Sequence, residues 1–161
     1  MNVKKIISVI LVVVWMSVIF SFSNQQGEGS GNTSRKVCEV IISIVDISDQ
    51  YTEMEKEQII KILEPVIRKE AHYTIYLIGG ILIANSVYQF YNKEQKMILI
   101  STIIGVLYAI SDEVHQLAVA GRSGRIIDVI IDSLGIMTGI MLFLVIKYSI
   151  KGIKEKSKIR G

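Results

Sequence analysis

Apolar residues in this chain fall into four long runs separated by polar blocks. The runs are Ile6 to Phe22, Ala71 to Phe90, Met97 to Leu117 and Ile126 to Tyr148. A helix rises about 1.5 Å per residue, so stretches of this length cross most or all of a hydrocarbon core of about 30 Å. The pattern predicts four transmembrane helices over about residues 6–22, 71–90, 97–117 and 126–148. Residues 24–70 form a polar insert between the first two. Its opening, Asn24 to Ser34, is rich in Gly, Ser, Asn and Gln and predicts a flexible connection. The segment KVCEVIISIVDI that follows is apolar but too short to span. From Asp49 to Lys69, Ile59, Ile60, Ile62, Leu63, Val66 and Ile67 recur at helical spacing opposite Glu55, Lys56, Lys61 and Glu64. Both pieces read as amphipathic helices lying on the membrane or capping the bundle. Pro65 is expected to kink or end the second one.

Small residues mark where helices approach. Gly79, Gly80 and Ala84 give the second run a small face. Asp128, Asp132, Gly135 and Gly139 are spaced four, three and four apart and form one stripe on the last run. The expected fold is therefore all-α: a single domain over residues 1–161, an integral membrane four-helix bundle with a polar extracytoplasmic insert of amphipathic helices. Lys4 and Lys5 precede the first run, while Lys147, Lys151, Lys154, Lys156, Lys158 and Arg160 surround the end of the last. Cationic residues favour the cytoplasmic side, so a multi-pass protein of the cell membrane with both termini in the cytoplasm is expected. The first run is not followed by a small-x-small cleavage site and is expected to be retained. The insert and the 118–125 loop then face outward.

Composition agrees with a membrane location. Half of the 161 residues are hydrophobic and the mean hydropathy is +0.45, too apolar for an ordinary soluble domain of this size. Net charge is only +3, and no basic tract is interleaved with aromatics, which argues against nucleic acid as a partner. A single cysteine, Cys38, excludes an internal disulfide. H-E-x-x-H and Cys-rich ligand spacings are absent, as are phosphate loops, dinucleotide fingerprints and G-x-S-x-G turns, so no metal or cofactor is assigned.

The polar hinge Ser111 to Asp132 (SDEVHQLAVAGRSGRIIDVIID) is the informative stretch. A charged residue at the centre of a bilayer costs roughly 2.5–3.5 kcal/mol on insertion scales and usually faces a protein interior or a wet cavity. With four spans, His72, Asp112, Glu113, His115, Gln116, Arg122, Asp128 and Asp132 gather at the outer face. A histidine exchanges protons near neutral pH and a carboxylate can orient it, which makes His115, His72, Asp112, Asp128 and Asp132 the candidate acid–base groups. Arg122, Arg125, Arg68 and Lys69 are candidate clamps for a phosphate or carboxylate. Gln116 and Tyr76 are candidate lining residues. Glu113 is a further ligand candidate, although its spacing turns it away from the face shared by Asp112 and His115.

Three stretches, WMSVIFSFSNQ (Trp15, Ser21, Ser23, Gln25), RKEAHYTIY (Arg68 to Tyr76) and DEVHQLAVAGRSGRIIDVIIDSLG (Asp112 to Gly135), resemble the VanZ family of small bacterial membrane proteins. The resemblance departs at Ala120, where the family commonly has a proline before Gly-Arg. It implies an integral membrane protein linked to resistance to the lipid-tailed glycopeptide teicoplanin. The partners expected at an outer-face site are bilayer lipid together with a lipid-linked cell-wall precursor, a teichoic acid or a lipoglycopeptide. Three readings stay open: a protein that modulates glycopeptide access to its target, a membrane-embedded enzyme acting on a phosphate or acyl bond of an envelope lipid, and an ion-pair network that only fixes helix packing.

Overall fold

Thr52 opens the longest element of the chain. Its side chain accepts the backbone N–H of Glu55 at 3.4 Å, and the Glu55 carboxylate accepts the N–H of Thr52 at 2.8 Å. This reciprocal cap satisfies two amide groups at a helix start. It also holds the Glu55 carboxyl below the usual carboxylate range. The computed structural model describes residues 2–24, 27–45, 51–119, 121 and 124–160, apart from the side chains of 27–31 and 156–160. Among the described residues there are five helices and no strand: α1 (Val3–Ser23), α2 (Gly27–Ile44), α3 (Glu53–Tyr91), α4 (Glu94–Gln116) and α5 (Ile126–Arg160).

The 39 residues of α3 span roughly 58 Å, about twice a hydrocarbon core. The expected amphipathic helix and the expected second span are thus one continuous element. Pro65 lies inside it and does not end it. The missing proline N–H leaves the carbonyl of Lys61 without its usual partner. Lys61 and Pro65 are both exposed, so solvent can take that role. Contacts on either side hold the helix together, because α3 packs against all four other helices. It ends at Asn92, in the left-handed region at φ 49°, whose N–H donates to the carbonyl of Tyr88 at 2.8 Å.

Residues around the Gly/Ser-rich opening of the insert are helical from Gly27 onward, where a flexible connection was expected. Tertiary contact overrides their poor helix propensity. Cys38 and Ile42 of α2 pack on Ile60, with Ile59, Leu63 and Ile67 around them. Arg35 forks onto Glu57 at 3.0 and 2.5 Å, which holds the Glu57 carboxyl below its ordinary range.

The small-residue stripes meet as their spacing predicted. A Cβ on Gly139 would fall on the carbonyl oxygen of Leu77, and one on Gly80 would fall on that of Ile136. α3 and α5 therefore touch backbone to backbone. Gly79 receives the Trp15 indole of α1, whose Nε1–H donates to the carbonyl of Ile75 at 2.9 Å.

Among the described residues, three helices are long and apolar enough to cross a membrane: α1, α4 and Ile126–Glu155 of α5. Only 22%, 33% and 28% of their apolar windows are buried, so most of each faces outward, as lipid contact would require. The second half of α3, expected as a fourth span, does not reach that apolarity; His72, Asn85, Gln89 and its tyrosines interrupt it. At one end of the bundle, lysines sit over aromatic rings. Lys5 lies 5.0 Å from the Phe90 ring centre, Lys96 5.7 Å from Tyr91, and Lys147 4.0 Å from Tyr88. Lys147 also reaches Glu94 at 2.6 Å. Amphipathic rings and cations of this kind suit a membrane–water boundary.

Candidate functional site

His72 lies sixteen residues before Tyr88 on α3, about 24 Å from that belt by the helical rise. Lys61, Glu64, Arg68 and His72 recur three or four residues apart and so share one face of α3. Opposite that face stands Asp132 of α5, fully buried, with Oδ1 3.5 Å from His72 Nδ1. Glu113 of α4 joins them. It is 5% exposed, and its Oε2 accepts the backbone N–H of Arg125 at 2.9 Å, just before α5 begins. One ligand atom from each of His72, Glu113 and Asp132 lies within 4.8 Å of the others.

Glu113 was expected to point off the shared face, and the structure turns it in. Gly124 lies against α4, where a Cβ on it would stand 2.7 Å from the Glu113 carbonyl oxygen. That close approach is what brings the Arg125 amide to the Glu113 carboxylate. Beside the trio, Gln116 Nε2 donates to Asp112 Oδ2 at 3.1 Å, with both residues buried. Tyr76 is also fully buried, within electrostatic reach of Asp112 and Asp132, and its ring meets Trp15 edge-on at 5.9 Å.

Two cavities share wall residues here. A polar one of about 310 Å³ is walled by Lys61, Arg68, Lys69, Arg125, Asp128 and Asp132, with His72 and Gln116 on its floor. An apolar one of about 250 Å³ lies between α1, α2 and α3, walled by Ile19, Phe22, Val37, Ile67 and Ile75. Arg68 and His72 belong to both. Arg68 is steadied by Glu64 at 3.1 Å.

The structure thus gathers His72, Asp112, Glu113, Gln116, Asp132 and Tyr76, and sets Arg68, Lys69 and half-buried Asp128 on the cavity wall. His115 goes elsewhere: its ring stacks on Phe20 of α1 at 4.7 Å, and it lines neither cavity. Arg122, Ala120 and Gln25 lie outside the described residues. Lys61 and Glu64 are wall residues that the sequence pattern assigned to a solvated helix face. Their spacing to Arg68 and His72 was the available signal, legible only if the helix runs through Pro65.

Apolar helices around a buried acid–histidine centre, with basic residues at its mouth, define a helical protein of membrane type. The chain belongs to the VanZ/LLP1 family, which it matches over residues 8–147, a range that contains every site residue named above. No curated protein and no solved structure matches it.

Proposed function

We propose that this chain is a four-span, outward-facing VanZ-like protein that binds an amphipathic envelope molecule and thereby changes the access of lipoglycopeptides such as teicoplanin to their target. The observation that carries the reading is a polar and an apolar cavity that share Arg68 and His72 as wall residues. An anionic head would sit among Lys61, Arg68, Lys69 and Arg125, and an acyl tail would enter the apolar cavity beside Ile19 and Val37. The lysine–aromatic belt at the opposite end supports the orientation, since cationic ends favour the cytoplasm. Cells carrying the chain are expected to tolerate more teicoplanin, with little change toward a glycopeptide that lacks the acyl tail. His72→Ala and Asp128→Asn should remove the protection while membrane abundance stays normal. Equal protection against both antibiotics, or unaltered protection in both variants, refutes the reading.

The 3.5 Å approach of His72 to Asp132 favours a second reading, a hydrolase or transferase acting on an envelope lipid. There His72 is the acid–base group, Asp132 orients it and Arg68 holds the anion. Turnover of a labelled lipid-linked precursor by the purified protein, lost in His72→Ala, selects this reading. Stoichiometric binding without turnover selects the first.

A further inference from the structure

Both oxygens of the Asp132 carboxylate are buried without a hydrogen-bond partner, and so is Oε1 of Glu113. Asp132 is 0% exposed and Glu113 5%. The His72 contact to Asp132 and the Arg125 amide on Glu113 compensate this burial only in part, and removing carboxylates from water is costly for a fold. His72 Nδ1, 3.5 Å from Oδ1, can share a proton with one Asp132 oxygen only, and Asp132 and Glu113 do not hydrogen-bond each other. Their oxygens and a His72 nitrogen nevertheless surround a common point, within 4.8 Å of one another.

We propose that His72, Glu113 and Asp132 hold a divalent first-row metal ion, with Zn2+ or Mn2+ the best match to one imidazole and two carboxylates. Two ligands about 2.1 Å from one tetrahedral ion stand about 3.4 Å apart, so the widest pair must close by up to about 1.4 Å. Side-chain rotation supplies that. The supporting contact is in place: the Arg125 amide pins Oε2 of Glu113 and leaves Oε1 for the centre. Three protein ligands leave coordination positions open, and two of the three, His72 and Asp132, line the cavity shared with Lys61, Arg68 and Lys69. The ligands come from α3, α4 and α5, so no sequence spacing announces them.

The test needs neither an antibiotic nor a lipid, so it can fail while the binding reading stands. Full-length protein is purified in detergent, stripped with chelator, dialysed against Zn2+, Mn2+, Ca2+ or Mg2+ and analysed for bound metal. Wild type should retain about one Zn2+ or Mn2+ per chain, as a three-ligand site does. Asp132→Asn and Glu113→Gln should bind about 100-fold more weakly or worse. Glu155→Gln, an exposed acid at the far end of α5, should bind as wild type does. If the two ligand variants fail to fold, nitrogen coupling from an imidazole in the electron paramagnetic resonance spectrum of the Mn2+-loaded wild type decides. Wild type that retains no metal, ligand variants that bind equally well, or the absence of that coupling would each overturn the assignment.

Discussion

Gly139→Ala and Gly152→Ala make the same chemical change on one helix and should move stability in opposite directions. At Gly139 the new methyl would overlap the carbonyl oxygen of Leu77 and lie 3.0 Å from the Cα of Gly80. Both obstructions are backbone, so no side chain can swing aside and α3 and α5 must part by about an ångström. Overpacking costs about 1–3 kcal/mol, and rigid obstructions belong at the upper end. Replacing glycine within a helix returns up to about 1 kcal/mol. The net expectation is a loss of about 2 kcal/mol. A Cβ at Gly152 meets nothing within 4 Å, so only the helix gain of about 0.5–1 kcal/mol remains there. For a chain of this length 1 kcal/mol moves the midpoint by about 2–4 °C. Thermal unfolding of the detergent-purified protein should therefore show Gly139→Ala about 4–8 °C lower and Gly152→Ala about 1–4 °C higher than wild type. Gly139→Ala melting at or above wild type would mean that the two backbones do not touch. The substitution also reaches the site, because Asp132 lies on the same stripe as Gly139 and moves away from His72 when the helices part.

Trp15→Phe keeps an aromatic ring against Gly79 but removes the donor to the Ile75 carbonyl. It should cost about 0.5–1.5 kcal/mol in the same unfolding assay; no change in midpoint would show that α1 is not tied to α3 there. Sidedness follows from labelling intact cells with a membrane-impermeant maleimide. Met54→Cys should react and Asn92→Cys should not, and the reverse pattern would put the polar cavity on the cytoplasmic side. Native Cys38 should stay silent, because it is fully buried and burial pushes its thiol pKa up, leaving less thiolate to react.

The all-helical character of this chain, its apolar helices, its glycine stripes and its polar hinge are all legible in the sequence, because each is a statement about one helix. Periodicity reports which residues share a face, and Asp132 with Gly135 and Gly139 is such a case. It does not report which neighbour that face meets. Each residue turns a helix by about 100°, so Glu113 and His115 flank Asp112 on opposite sides. Only packing decides between those sides. α1 takes His115 through Phe20, while Arg125, just before α5, takes Glu113 through its backbone amide. Pro65 teaches the same lesson. Its local preference is to break a helix, yet α3 continues because partners on both sides of it outweigh one lost hydrogen bond. That continuity carries Lys61 and Glu64 to the mouth of the site beside Arg68 and His72. The individual helices were written in the local pattern of residues; their rotation against one another, and with it the membership of the acid–histidine centre, came from contacts between residues far apart in the chain.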